Sequence, residues 1–250
     1  MSGKTIRLDR LLANLGYGSR REILVRARAG RIRLDGEIFR DVERRIALDP
    51  ALPARLRVDD EELDPPPGVV LMMNKPLGVT CSRKESGPLV FSLLPERWRR
   101  RDPAISTVGR LDKDTSGLLL LTDDGALLHR IISPRFSTPK TYRATLDRPL
   151  RSDEAKIFAS GTLMLEGEDK PLLPAHMEAL DERTALLTLH EGRYHQARRM
   201  FAAVGNHVTA LHRISVGGLT LPHDLAPGEF VVLDAEGIGR IVLPEKQAGF

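Results

Sequence analysis

The stretch GRLDKDTSGLLLLTDDG, residues 109–125, gathers four aspartates around a run of four leucines. Acids so grouped can collect a cation, or one of them can act as a nucleophile or charge stabiliser. The cation reading has a definite template. Asp112, Asp114, Ser116, Gly117 and Asp123 fall at positions 1, 3, 5, 6 and 12 of a calcium-binding EF-hand loop. The flanks argue against it, since Pro103 and Gly109 stand where an entering helix should run. Position 9 is the apolar Leu120, and the bidentate glutamate of position 12 is the shorter Asp123. LLLL followed by Thr122 reads instead as a buried strand. Asp112 is left as the candidate for chemistry, with Asp114, Asp123 and Asp124 as turn or helix-cap residues.

Other signals of metal or nucleotide chemistry are weaker. HEGRYH places His190 and His195 five residues apart, ~140° around a helix, so they cannot share a face as zinc ligands. Gly3-Lys4-Thr5 resembles the tail of a phosphate loop without room before it for the strand and glycines. Cys81 is the single cysteine, which excludes an internal disulfide and a three- or four-cysteine zinc site. No metal and no cofactor are expected.

The elements that must position Asp112 follow from pattern. DDEELDPPPG, residues 59–68, runs acids into three prolines and marks a seam. This divides the chain into residues 1–60, a linker at 61–68, and residues 69–250. Before the seam, Leu8, Leu11, Leu12 and Leu15 form the stripe of an amphipathic helix ending at Gly16. Ser19 and Glu22 make a capping box for a second helix that stops at Gly30. RIRLDGEIF then turns at Asp35-Gly36, a hairpin signal. After the seam, VVLMM, LLLLT, KTYRATL, ALLTLH and FVVL read as strands. Helices are expected near 125–132, 152–160 and 196–204, the second opened by Ser152, Asp153 and Glu154 and closed by Gly161. The fold class is α+β, with a mixed, largely antiparallel sheet in the larger part.

Composition sets the outer bounds. Apolar residues make up 41% and charged residues 29% of 250, an ordinary globular balance. The first twenty residues carry too many charges for a signal peptide, and the longest apolar runs fall far short of the ~20 residues of a membrane helix. A cytoplasmic protein without a membrane partner is expected. The net charge of +4 is unevenly spread: Lys4 to Arg33 holds nine Lys or Arg against two acids. Such a segment suits a polyanion, although a solvated helix face looks the same.

The N-terminal stretch RLDRLLANLGYGSRREILVRARAGRIRLDGEI resembles the S4 domain, a small RNA-binding module. The resemblance implies contacts to RNA shape and phosphates through Arg7, Arg10, Arg20, Arg21, Arg28 and Arg31, with Arg26 and Arg33 on the same unit.

Downstream, GRLDKDTSGLLLLTDDG is similar to the aspartate motif of the pseudouridine synthases. LMMNKPLGVTCS, KTY and EGRYHQARRMF match that family's other motifs in order. The chain is thereby identified with the small, S4-bearing synthases of ribosomal RNA. Its tail, with Tyr194-His195 and Gly205-Asn206-His207, resembles the members acting on uridine 516 of 16S rRNA, whereas large-subunit relatives tend to show Asn-Arg at the first pair. The resemblance implies Asp112 as the catalytic carboxylate, by attack on C1′ or by removing a sugar proton. It implies Arg198 as its cationic partner, with Arg199 as the alternative, and Tyr142 as the ring that stacks on uracil. By residue pattern alone Tyr142 could simply pack in its strand. Arg110, Asn74, Lys75, His195, Gln196 and Arg199 are expected to support the site or contact RNA. The implied partner is 16S rRNA, in a partly assembled small subunit, met by a monomer that flips its target base. Rival readings are the same chemistry on 23S rRNA, a non-catalytic ribosome-assembly factor, and a hydrolase, for which Asp112 lacks a partner acid.

Overall fold

The computed structural model describes residues 5–82, 84–133 and 136–241. Lys4 of the basic segment lies outside them. The chain forms two units. The first contains residues up to Val69 together with Leu94–Ser106 and Thr122–Asp124, and the second contains the remainder.

The first unit opens with β1 (Thr5–Arg7), α1 (Leu8–Asn14) and α2 (Arg20–Arg28). Leu8, Leu11, Leu12 and Leu15 are fully buried, as their spacing demands. The capping box is formed: the Glu22 amide donates to Ser19 Oγ at 3.3 Å, and the Ser19 amide donates to Glu22 Oε2 at 2.7 Å. Next come β2 (Ile32–Leu34) and β3 (Glu37–Ile38), joined through Asp35 and Gly36, both with positive φ as the expected two-residue turn requires. β4 (Arg45–Ala47) pairs with β1, while α3 (Leu52–Arg55), β5 (Leu56–Val58) and β6 (Glu61–Glu62) complete the unit. β3, β2, β5 and β6 form one sheet in that order.

Residues 61–68, read as a linker, are tied into this unit. Glu62 pairs with Arg57, Leu63 joins the apolar core, and Asp64 accepts from Arg97 Nε at 2.6 Å. The segment Leu94–Ser106 is a strap. Arg97 Cζ lies 4.4 Å from the Tyr17 ring centre, and the Asp102 amide donates to Asn14 O at 2.8 Å. Arg101 is buried and donates to Pro65 O, Pro66 O and Asp123, so it serves two carbonyls of the proline run.

The second unit holds a mixed, mostly antiparallel sheet, nine-stranded among the described residues. Its strands are β7 (Val70–Lys75), β8 (Ser106–Thr107), β9 (Thr115–Thr122), β10 (Lys140–Leu146), β11 (His176–Ala179), β12 (Thr184–Leu189), β13 (Val208–Val216), β14 (Leu219–Thr220) and β15 (Phe230–Val232). The main path runs β11-β12-β10-β13-β9-β7-β15. Between them lie α4 (Gly125–Ile132), α5 (Glu154–Ala159), α6 (Gln196–Ala203) and α7 (Ala235–Ile241). β10, β12 and β13 pair antiparallel, whereas β13 and β9 pair parallel. One core is built around Phe158 and Phe201, whose rings meet edge to face at 5.3 Å.

Two local expectations change. α5 begins at Glu154 without a side-chain cap from Asp153; the buried Glu154 carboxylate instead accepts the Arg151 amide at 2.9 Å. Strand β13, absent from the pattern reading, is the longest strand and lies mid-sheet.

Candidate active site

The Asp112 loop is fixed from below by a buried ammonium. Lys75, at the end of β7 and fully buried, donates through Nζ to Asp112 O at 3.1 Å, Thr115 O at 2.8 Å and Pro76 O at 3.0 Å. Burial pushes its pKa down, while the nearby Cys81 and Asp112 charges oppose that shift. The Gly78 amide holds Lys113 O at 2.8 Å, and the Thr115 amide closes a turn on Asp112 O at 3.0 Å. β9 starts at Thr115, earlier than the leucine run suggests, because Gly117 lies against β13. A Cβ there would sit 2.3 Å from Arg213 O, and its φ of 103° suits glycine.

Asp112 stands at a cleft of ≈ 480 Å³ wholly within the second unit. The cleft is also lined by Arg110, Tyr142, His195, Gln196 and Arg198, all anticipated from sequence. Tyr142 is brought in by β10, where it sits opposite Leu187 on one side and Arg213 on the other. His195 adopts a left-handed backbone at the start of α6, and its Nε2 lies 3.4 Å from Asp112 Oδ1. Tyr194 stacks on the His195 ring at 3.8 Å. Gln196 is buried and donates to Glu191 Oε1 while accepting the Arg193 amide, which shapes the turn before α6.

The expected pairing of Arg198 with Asp112 is not the one formed. Arg198 Nη2 pairs with Asp114 Oδ2 at 2.9 Å and Nη1 donates to Val208 O at 2.8 Å; among the described residues, the side chain within ion-pair distance of the Asp112 carboxylate is the His195 imidazole, which makes an ion pair only when protonated. The physical reason is the turn: Asp114 extends toward α6 while Asp112 faces the cleft. Asp112 is also one-third exposed, so water reaches its carboxylate. Among the described residues, the buried polar side-chain atoms without hydrogen-bond partners are Thr115 Oγ1 and Arg198 Nε, and both residues line this cleft.

Asn74 and Arg199 stand apart from the cleft, and Arg110 on its wall is engaged elsewhere. Asn74 donates to Leu225 O at 2.8 Å, and Arg199 pairs with Glu168, whose carboxyl that bond holds below its usual range. Arg110 pairs with Glu85. In the first unit Arg10, Arg20, Arg21 and Arg28 are exposed, while Arg7 pairs with Asp9 and Glu43 and Arg31 with Asp59.

Two cleft residues escaped the pattern reading. Lys140, in the strand expected around KTY, donates to Thr138 O. Arg213, on the missed β13, is 2% exposed and donates to Leu118 O at 2.7 Å. A charge placed within the run VTALHRISV was the available signal. Among the described residues, no three His, Cys, Asp or Glu converge as a metal site, and no helix is long and apolar enough to cross a membrane.

A carboxylate, a phenol ring and several cations on one cleft can hold a planar polar base and meet positive charge on an attached sugar. The comparisons fit this capacity. Residues 69–203 match the RNA pseudouridylate synthase family and residues 6–48 the S4 domain. The chain is 42% identical over 243 residues to "Ribosomal small subunit pseudouridine synthase A" of Escherichia coli K12, covering 95% of this chain and 100% of the relative. It is 40% identical over 241 residues to the protein of the same name from Yersinia pestis, covering 96% and 99%. A solved pseudouridylate synthase superposes with a TM-score of 0.67 at 36% identity, over 95% of this chain and 100% of that one. The chain therefore belongs to the RNA pseudouridylate synthase family and carries an S4 domain at its N-terminus.

Proposed function

We propose that the protein isomerises uridine to pseudouridine in ribosomal RNA, at uridine 516 of the 16S small-subunit molecule. The observation that carries this reading is the meeting of Asp112, Tyr142 and His195 on one cleft, in a chain whose relatives are named for the small subunit. The target base leaves the stack and enters the cleft, at a cost of a few kcal/mol that RNA contacts offset. Asp112 lies beside C1′ and meets the positive charge that grows there as the C1′–N1 bond breaks, by covalent attack or by taking a sugar proton. Tyr142 presents its ring to the uracil. Arg198 acts one step away, holding Asp114 so that the turn through Asp112 keeps its shape. The exposed arginines of the S4 domain supply phosphate contacts, which makes binding salt-dependent. The substrate is the RNA within a partly assembled small subunit, the protein acts as a monomer in the cytoplasm, and neither metal nor cofactor takes part.

The test is incubation of unmodified 16S rRNA particles with the protein and with Asp112→Ala, followed by carbodiimide treatment and primer extension. A new stop at position 516 that vanishes with the variant is expected. Tight binding with no stop from the wild type favours the assembly-factor reading, and a stop confined to 23S rRNA retains the chemistry while overturning the substrate.

A further inference from the structure

The sheet beneath the cleft carries two cations that no carboxylate among the described residues neutralises. Lys140 on β10 lines the cleft and donates through Nζ to Thr138 O at 2.9 Å. Burial, and then the neighbouring charge of Arg213, push its ammonium down to about 8, so the two cations lie close enough to repel. Arg213 also lines the cleft; it is 2% exposed, its Nε is committed to Leu118 O, and its Cζ lies 6.0 Å from the centre of the Tyr142 ring. Tyr142 and Arg213 are register partners across β10 and β13, so ring and guanidinium are placed by the sheet itself. Two like charges held together in a half-buried place cost free energy unless a ligand brings negative charge.

We propose that Lys140 and Arg213 form an anion-receiving floor that takes the charge of the uracil once it leaves the sugar. This rests on the uridine-isomerising reading above. When C1′–N1 breaks, its electron pair stays with the uracil, which becomes an anion spread over N1 and the two carbonyl oxygens. The matching positive charge on the sugar falls to Asp112. The uracil turns and C5 gives an electron pair to C1′; the proton lost from C5 is balanced by one gained at N1, so no oxidant or reductant is needed. During the turn the base is attached to nothing, and cations aimed at its oxygens both stabilise and retain it. An RNA phosphate is the other anion that could answer this charge. Depth favours the base: Arg213 is buried, whereas the Arg110 side chain on the same cleft is 63% exposed and better placed for the backbone.

The experiment uses the full chain, Lys140→Met and Lys140→Arg. In single-turnover assays on 16S rRNA particles, Lys140→Met is expected to slow product formation by ~10²-fold, with RNA affinity within about threefold of wild type and Lys140→Arg recovering most of the rate. In parallel, wild type and Lys140→Met are titrated with uracil and with 5-nitrouracil, whose ring the nitro group makes anionic near neutral pH. Wild type is expected to prefer 5-nitrouracil by about tenfold or more, and Lys140→Met to lose that preference. Weakened RNA affinity with an unchanged saturated rate overturns the proposal in favour of a phosphate site. An equal response of wild type and Lys140→Met to 5-nitrouracil also overturns it. A wild type that shows the preference but leaves rRNA unmodified keeps the anion floor and sinks only the assigned substrate.

Discussion

Removing the carboxylate of Asp123 is expected to destabilise the protein by about 3–5 kcal/mol, the cost of stranding a buried cation. The side chains of Arg101 and Asp123 are each 1% exposed, and Arg101 Nε and Nη2 reach Asp123 Oδ2 at 3.2 and 2.8 Å. The other oxygen accepts the Gly68 amide at 2.7 Å. Asp123→Asn keeps the volume and the bond to Gly68 but presents an uncharged group to the guanidinium. Arg101 cannot swing to solvent without abandoning Pro65 O and Pro66 O, so relaxation offers little relief. For a chain of this size, such a loss lowers the first thermal transition by about 6–20 °C. Calorimetry on wild type and Asp123→Asn reads this directly. Glu96→Gln is the control, because the Glu96–Arg100 pair is exposed and worth under about 1 kcal/mol. A shift of under 2 °C for Asp123→Asn, or equal shifts for both variants, would refute the reasoning.

Gly117→Ala is expected to cost more than about 2 kcal/mol in urea unfolding, because the added methyl meets the Arg213 backbone in a conformation that disfavours alanine; an unchanged midpoint would show that β9 and β13 can separate freely. Lys140 gives a pH signature. Its folded pKa of about 8 lies below the ordinary 10.5, so the unfolded chain holds the proton more tightly and stability rises with pH between those values. Urea melts of wild type should gain about 2–3 kcal/mol across that window relative to Lys140→Met, and identical pH dependence would count against the buried ammonium. Activity should fall as the pH passes about 8 in the wild type, while Lys140→Arg holds its rate. Asp114→Ala frees Arg198, and a rate loss of tenfold or more with RNA affinity intact is expected; unchanged turnover would show that this ion pair does not position the Asp112 turn.

Much of this structure is legible where a local rule suffices. The leucine stripe of α1, the Ser19–Glu22 box, the Asp35-Gly36 turn and the full extent of β10 follow from residues within one element. β13 was hidden because Thr209, His212 and Arg213 interrupt its apolar pattern, and those polar groups find partners only in three dimensions, as His212 does in Ser116 at 2.8 Å. The location of Asp112, Tyr142 and Arg198 on one cleft matches what motif order implied, but the choice of Asp114 over Asp112 as the partner of Arg198 depends on a turn geometry that spacing does not encode. Lys140 and Arg213 were passed over for a similar reason: a charged residue in a strand is ordinarily assigned to the solvent face.

The strap from Leu94 to Ser106 has a consequence for the order of synthesis. The apolar core of the first unit lies between Leu8 and Leu63 and can collapse as soon as that segment leaves the ribosome. Asp64, the open face of Tyr17 and the last carbonyl of α1, that of Asn14, must wait for Arg97 and Asp102, and the proline carbonyls wait for Arg101, whose own charge waits for Asp123. At 5–20 residues per second, the delay from Val69 to Asp124 is about 3–11 s. The nascent N-terminal unit thus spends seconds folded in its core but unclasped in its polar contacts, and a fragment ending at the prolines is arrested in that state.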